Sequence, residues 1–143
     1  MTVHLLDVNV LVALVWRGHE SHEKAQNWFA QHSKSGWATC PLTQAGCVRI
    51  LSNPAFSRNP STPQQALKLL SVNLDHPSHL FWPDDLTFAQ AVEPMERQLV
   101  GHRQVSDAYL LGLAIRRKAR LATLDRSVPA LLPRDKQAAV VVL

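Results

Sequence analysis

Apolar residues along the chain fall into short unbroken runs, separated by segments in which they recur at helical spacing. Val3 to Leu6 is a brief apolar run closed by Asp7, the pattern of a buried strand. Val8 to Trp16 stays apolar except for Asn9 and reads as a buried helix stopped near Gly18. From Ser21, with Glu23 in the first turn, Ala25, Trp28 and Phe29 recur at helical spacing, and this helix fades across 33–36. Trp37 to Pro41 predicts a second strand, with Thr43 as the expected N-cap of a helix ending before Asn53-Pro54. Residues 53–63 hold three prolines and read as a loop. Thr62 and Pro63 then open a helix through Ala66, Leu67, Leu69 and Leu70. Leu80 to Trp82 predicts a short strand, and Asp84-Asp85 a cap for a helix from Leu86 that Pro94 should break. The strongest helix follows Gly101, with Val105, Ala108, Leu111, Gly112 and Ile115 as its packed face. The basic cluster Arg116, Arg117, Lys118 and Arg120 lies at its end, where cations suit the helix dipole. Leu121–Leu124 and Ala138–Leu143 are the last strands expected. Strands alternate with helices and are apolar throughout. The predicted fold is therefore α/β: a single domain over residues 1–143, with a mostly parallel central sheet and helices on both faces.

Composition narrows the class. The chain has 46% hydrophobic and 18% charged residues, enough to bury a core in one domain. No apolar run approaches the ~20 residues needed to span a bilayer, and no basic segment precedes an apolar stretch at the start. No membrane association is expected, and the predicted location is cytoplasmic. Cys40 and Cys47 have neither the number nor the spacing of a disulfide framework or a zinc site, and read as buried thiols. Charge is unevenly divided: residues 1–96 carry a net −2 and residues 97–143 a net +6. With a pI near 9.5 for the whole chain and its positive charge concentrated in that last third, the sequence suits a polyanionic partner. No glycine-rich phosphate loop is present, which argues against a nucleotide-dependent kinase or dehydrogenase.

In an open parallel sheet, ligands bind beyond the carboxyl ends of the strands. Asp7 and Asp125 stand at two such ends, and Asp107 lies near the start of the strongest helix, 18 residues before Asp125. A helix of that length followed by a strand returns the chain to the same edge, so the three carboxylates are expected to converge. Like charges held together repel unless a cation neutralises them. Oxygen ligands suit Mg2+ or Mn2+ rather than zinc. Such a cation activates a water and stabilises the charge that develops on a phosphodiester, while basic residues hold the rest of the polyanion. Each acid also has a local reading, since Asp125 before Arg126-Ser127 and Asp107 after Ser106 both suit helix capping. Only the trio points to chemistry. A phospho-acceptor receiver domain would need an acidic pair after the first strand and a lysine ending a later one, and this chain has neither. The seven histidines share no spacing and are expected in surface or capping roles. The four tryptophans are expected in the core or a dimer interface.

The segments LLDVNVLVAL, PLTQAGCVRIL and VSDAYLLGLAIRRKARLATLD, in that order, resemble the PIN-domain ribonucleases, and among them the VapC-type toxins of toxin–antitoxin pairs. The resemblance implies a Mg2+- or Mn2+-dependent endoribonuclease that hydrolyses RNA. It also implies a homodimer neutralised by a small cognate antitoxin protein. Position by position it makes Asp7, Asp107 and Asp125 the catalytic and metal-holding acids, with Asn9, Thr43 and Thr123 as supporting polar groups. Arg49 and Arg103 are the candidates for RNA phosphate. One departure stands out. Many relatives carry a glutamate inside the helix after the second strand, and here that position is Gly46. With one anionic ligand fewer, a second cation should bind more weakly. Water is the first candidate to fill the vacancy, ahead of Gln44, Thr43, or an acid from Glu20, Asp84 or Asp85. The alternative that Gly46 leaves open is a catalytically degenerate module that binds nucleic acid or antitoxin without cutting.

Overall fold

The computed structural model describes all 143 residues. The helices and strands run in the order β1 (His4–Leu6), α1 (Val8–Val15), α2 (His22–His32), β2 (Trp37–Thr39), α3 (Pro41–Leu51), α4 (Pro63–Leu74), β3 (His79–Phe81), α5 (Phe88–Val92), α6 (Val105–Arg116), β4 (Arg120–Thr123) and β5 (Val140–Val142). The five strands form one sheet in the order β3-β2-β1-β4-β5, and every pairing is parallel. The α/β reading is borne out.

Alternation along the central strands divides the interior in two. Leu5 and Leu121 face a layer with Met95, Leu111 and Leu113, supplied mainly by α6 and the turn before it. Leu6 and Ala122 face the other way, against Leu11, Val12, Leu70 and Cys47 from α1, α4 and α3. Each strand residue thus buries against a helix whichever way it points, which is why the runs carry no polar alternation. The edge strands differ. Leu80 and Phe81 on β3 are exposed and β5 is only half-buried, because each edge has a neighbour on one side alone.

Local signals fared unevenly. Thr62 and Pro63 open α4 as expected, with a reciprocal bond between Thr62 and Gln65. Thr43 is not an N-cap. Cys40 holds that place, and Pro41, expected to close the strand, is the first residue of α3. The helix expected from Leu86 starts at Phe88, capped by Thr87 rather than by Asp84-Asp85, and passes into a 3-10 segment over Glu93–Gln98 at Pro94. Val105 is exposed, whereas Ala108, Leu111 and Gly112 are fully buried. Gly112 is required by proximity: a Cβ there would stand 2.0 Å from the Ala91 carbonyl oxygen, so α5 and α6 touch backbone to backbone. Of the histidines, His4 departs from the surface role, lying buried with its ring edge-on to Trp28. Both cysteines are free and buried. No helix is long and apolar enough to cross a membrane.

Candidate active site

The parallel register builds the site. Leu6 pairs with Ala122, so Asp7 leaves β1 beside Thr123 at the end of β4. The Asp7 backbone N–H donates to the Ala122 carbonyl at 2.9 Å, continuing the ladder one residue past the strand. Asp7 then caps α1: its Oδ1 accepts from the Val8 backbone N–H at 2.7 Å. Its Oδ2 accepts from the Thr123 hydroxyl, also at 2.7 Å.

Thr123 is the hub of this end of the sheet. Its side chain is completely buried and its Oγ1 is saturated, with one proton to donate and two lone pairs to fill. The proton goes to Asp7, and the lone pairs accept from Asn9 Nδ2 at 3.3 Å and the Asp125 backbone N–H at 3.0 Å. Asn9 Oδ1 in turn accepts from the Leu124 backbone N–H at 3.0 Å. Asp125 is turned by Ser127, whose backbone N–H and hydroxyl both donate to Asp125 Oδ1, at 2.8 and 2.7 Å. Sequence reading missed Ser127 as a site residue, although an aspartate two residues before a serine is the signal of such a turn. Asp107 enters from the other side, as the third residue of α6.

These acids face one cleft of about 540 Å³. Asp7, Asn9, Asp107 and Asp125 line one side. Leu42, Ala45, Gly46, Arg49 and Ile50 of α3 line the opposite wall, with Arg49 the cation facing the acids. Arg103 is exposed on the 3-10 turn before α6 and does not line the cleft. Thr43 does not line it either: it is buried in the first turn of α3, its hydroxyl bonded to the Cys40 backbone N–H and carbonyl, both at 3.0 Å. The basic cluster at the end of α6 lies at the opposite edge of the sheet, away from the cleft.

The electrostatics are those of acids lacking a counter-charge. Burial pushes the Asp107 carboxyl up to about 6, with the charges of Asp7 and Asp125 adding to it. Asp7 is also raised, chiefly by burial. The bonds from Thr123 and Val8 pull the other way, and Asp125 adds repulsion. The one ion pair in the molecule, Arg117 with Asp85 at 3.2 Å, is elsewhere. No three of these side chains form a ready-made ligand cage. Even so, the donor set fits a hard divalent cation, being all oxygen, anionic and mutually repelling.

Gly46 does not leave a vacancy. A Cβ at this position would lie 2.7 Å from Val8 Cγ2, closer than real Cβ atoms come, and 3.2 Å from Val8 Cγ1, tighter than most such contacts. The valine after Asp7 occupies the space a larger residue at 46 would use. None of the stand-ins for the missing carboxylate reaches the cleft: Gln44 is turned to Thr39, Asp85 is paired with Arg117, and Glu20 and Asp84 do not line it.

Comparison with known proteins gives one consistent answer. Residues 4–131 match the family described as PIN domain. The chain is 43% identical to Ribonuclease VapC39 of Mycobacterium tuberculosis over 124 residues, 87% of this chain and 89% of that protein. It is similarly related to Ribonuclease VapC38 of the same organism, at 43% over 87% of this chain and 86% of the relative. Ribonuclease VapC29 is 46% identical over 125 residues, again 87% and 86% of the two chains. Among solved structures, a chain in the crystal structure of VapBC2 from Rickettsia felis bound to a DNA fragment from their promoter superposes with a TM-score of 0.67. The match covers 99% of this chain and 98% of that one at 13% identity, a likeness of fold.

Proposed function

The chain belongs to the PIN-domain family, and from that membership we propose that it is an endoribonuclease of the VapC type, in which Asp7, Asp107 and Asp125 hold a divalent cation and the cleft between them and α3 receives RNA. The observation that carries the reading is the cleft itself: three carboxylates from β1, α6 and the end of β4 line it, and none is neutralised by a bonded cation.

A bound Mg2+ or Mn2+ would supply Lewis acidity and a nucleophile at neutral pH. The protein's own residues supply position. Thr123 holds the Asp7 carboxylate and the Asp125 backbone through one oxygen atom, so the two acids move together. Asn9 ties α1 to the segment after β4, and Ser127 fixes the Asp125 carboxylate. Arg49, across the cleft, pairs with an RNA phosphate, as a guanidinium fork does well. The apolar wall of Leu42, Ala45 and Ile50 sheds water beside it. One cation is the expected stoichiometry, because Val8 takes the space of a fourth carboxylate.

The same reading makes the chain the toxin of a toxin–antitoxin pair, restrained by a small antitoxin and acting as a homodimer. It is tested with purified protein on total RNA and tRNA, with and without added Mn2+, beside Asp7→Asn and Asp107→Asn. Cleavage is expected only with the metal and only in the unsubstituted chain, both variants staying folded. Undiminished cleavage in EDTA would overturn the mechanism. Metal and RNA binding without turnover would favour a non-cleaving module, the reading that Gly46 motivates.

A further inference from the structure

The basic residues of the last third of the chain are not spent on the cleft. Eleven residues separate Asp107 from Lys118, so along α6, at roughly 1.5 Å per residue, the basic end lies about 16 Å from the acids. There, at the edge where the strands begin, two concavities adjoin. The larger, about 450 Å³, is lined by Lys118, Arg120, Lys136, Asp135 and Thr2, among others. The smaller, about 240 Å³, is lined by His4, His32, Trp28, Ser35, Arg120 and Thr2. Arg120 and Thr2 belong to both, so the two form one continuous track.

Three observations give this track a ligand. Its cations lack partners: Asp135 is the single acid along it, and the molecule's only ion pair is elsewhere. His4, paired across the sheet with Arg120, is 5% exposed and has an Nδ1 with no hydrogen-bond partner. Burial is the main reason that imidazole stays neutral down to about 4, and the nearby charges of His32 and Arg120 act in the same direction. Finally, Lys118 holds a left-handed backbone (φ 54°) just past the end of α6, where its N–H bonds the Ile115 carbonyl at 3.0 Å. Glycine is the usual residue there, because any side chain is strained in that conformation.

Building on the ribonuclease reading above, we propose that this far edge is a second RNA site, at which Arg120, Lys118, Lys136 and His32 bind the phosphodiester backbone of a substrate long enough to reach it from the cleft. The chemistry favours a nucleic-acid backbone over a protein partner. The track offers charged donors and hydroxyls; the larger apolar groups along it, Trp28, Ile115 and Val141, are half-buried, and none of the molecule's exposed large apolar side chains lines it. Protein interfaces turn on buried apolar or aromatic anchors, whereas backbone phosphates take charged and hydroxyl donors.

The test uses the triple variant Lys118→Gly, Arg120→Ala, Lys136→Ala. Lys118→Gly relieves the backbone, so an undiminished Tm serves as the folding control. In the inert Asp7→Asn background without metal, binding of a long RNA is followed by anisotropy across a salt series. The triple variant should bind at least about tenfold more weakly, with a log–log salt slope smaller by about 2, near 0.7 for each lost single-strand contact. In the otherwise unsubstituted chain, cleavage of an RNA of about three nucleotides, which at roughly 3.4 Å per nucleotide spans about 10 Å and falls short of the far edge, should not change. Unchanged long-RNA affinity and slope would overturn the second site. So would inorganic phosphate shifting the His32 imidazole resonance while the triple variant binds RNA normally, since the edge would then take free anions. A chain that binds long RNA through this edge but cleaves none would instead defeat the ribonuclease reading and leave the second site standing.

Discussion

Gly46 and Val8 should behave as one unit, and their coupling can be sized from the geometry. A methyl at 46 meets Val8 Cγ2 at 2.7 Å, about 0.7 Å short of the 3.4 Å at which ordinary contact begins. Val8 is β-branched, so turning its side chain brings the other methyl toward the same place. Overpacking of this kind costs about 1–3 kcal/mol. Replacing glycine inside a helix returns about 1 kcal/mol. Gly46→Ala should therefore destabilise the protein by about 1 kcal/mol. In a Val8→Ala background the obstruction is gone, and the same change should stabilise by about 1 kcal/mol. The double-mutant cycle, measured by urea unfolding of four proteins, then gives a coupling of about 2 kcal/mol. Additivity within about 0.5 kcal/mol would refute the reasoning, because it would mean that Val8 does not occupy the space. The cycle extends to chemistry. Gly46→Glu alone confounds a new ligand with a clash, whereas Gly46→Glu with Val8→Ala should bind Mn2+ more tightly than Val8→Ala alone, by calorimetry.

Three further outcomes follow from the structure. Gly112→Ala forces a methyl to 2.0 Å from the Ala91 carbonyl oxygen, so it should cost more than about 3 kcal/mol or abolish folding, as thermal unfolding will show. Asp107, raised from 3.8 to about 6, contributes stability that is fully present below pH 3.8 and lost as pH rises through 6. In EDTA at pH 7.5, Asp107→Asn should be the more stable protein, by about 1–2 kcal/mol after solvent screening is allowed for, and the gain should vanish near pH 4; a pH-independent difference would contradict the assignment. Thr123→Val removes the donor to Asp7 and the acceptor for Asn9 and Asp125, so cleavage should fall about 10–100-fold in kcat, with Thr123→Ser restoring most of it.

The α/β layering was legible because apolar runs at the strands and helical spacing between them are properties of single segments. The convergence of Asp7 and Asp125 on one cleft followed from the rule that parallel strands present their carboxyl ends together. Asp107 joined them because a helix of fixed length returns the chain to that edge. What escaped was set by contacts between distant segments. Thr43 looked like a cap, and only the packing of Cys40 and Pro41 shows that α3 starts earlier. Gly46 looked like a hole, because nothing in PLTQAGCVRIL announces that Val8, 38 residues earlier, fills it. The basic cluster looked like substrate-binding charge for the acids, and the direction of α6 puts it at the other end.

The bond between Thr123 and Asp7 joins residues 116 apart in the chain, with β1 at the middle of the sheet and its partner β4 among the last elements made. During synthesis, residues 1–119 leave the ribosome before the strand that orients the first acid exists. Chain ends this far apart also meet late in folding, since such contacts need long loops to close. A growing polypeptide that has not yet reached Thr123 therefore lacks the bond that orients its first acid, and on the ribonuclease reading its cleaving arrangement can assemble only once β4 is in place.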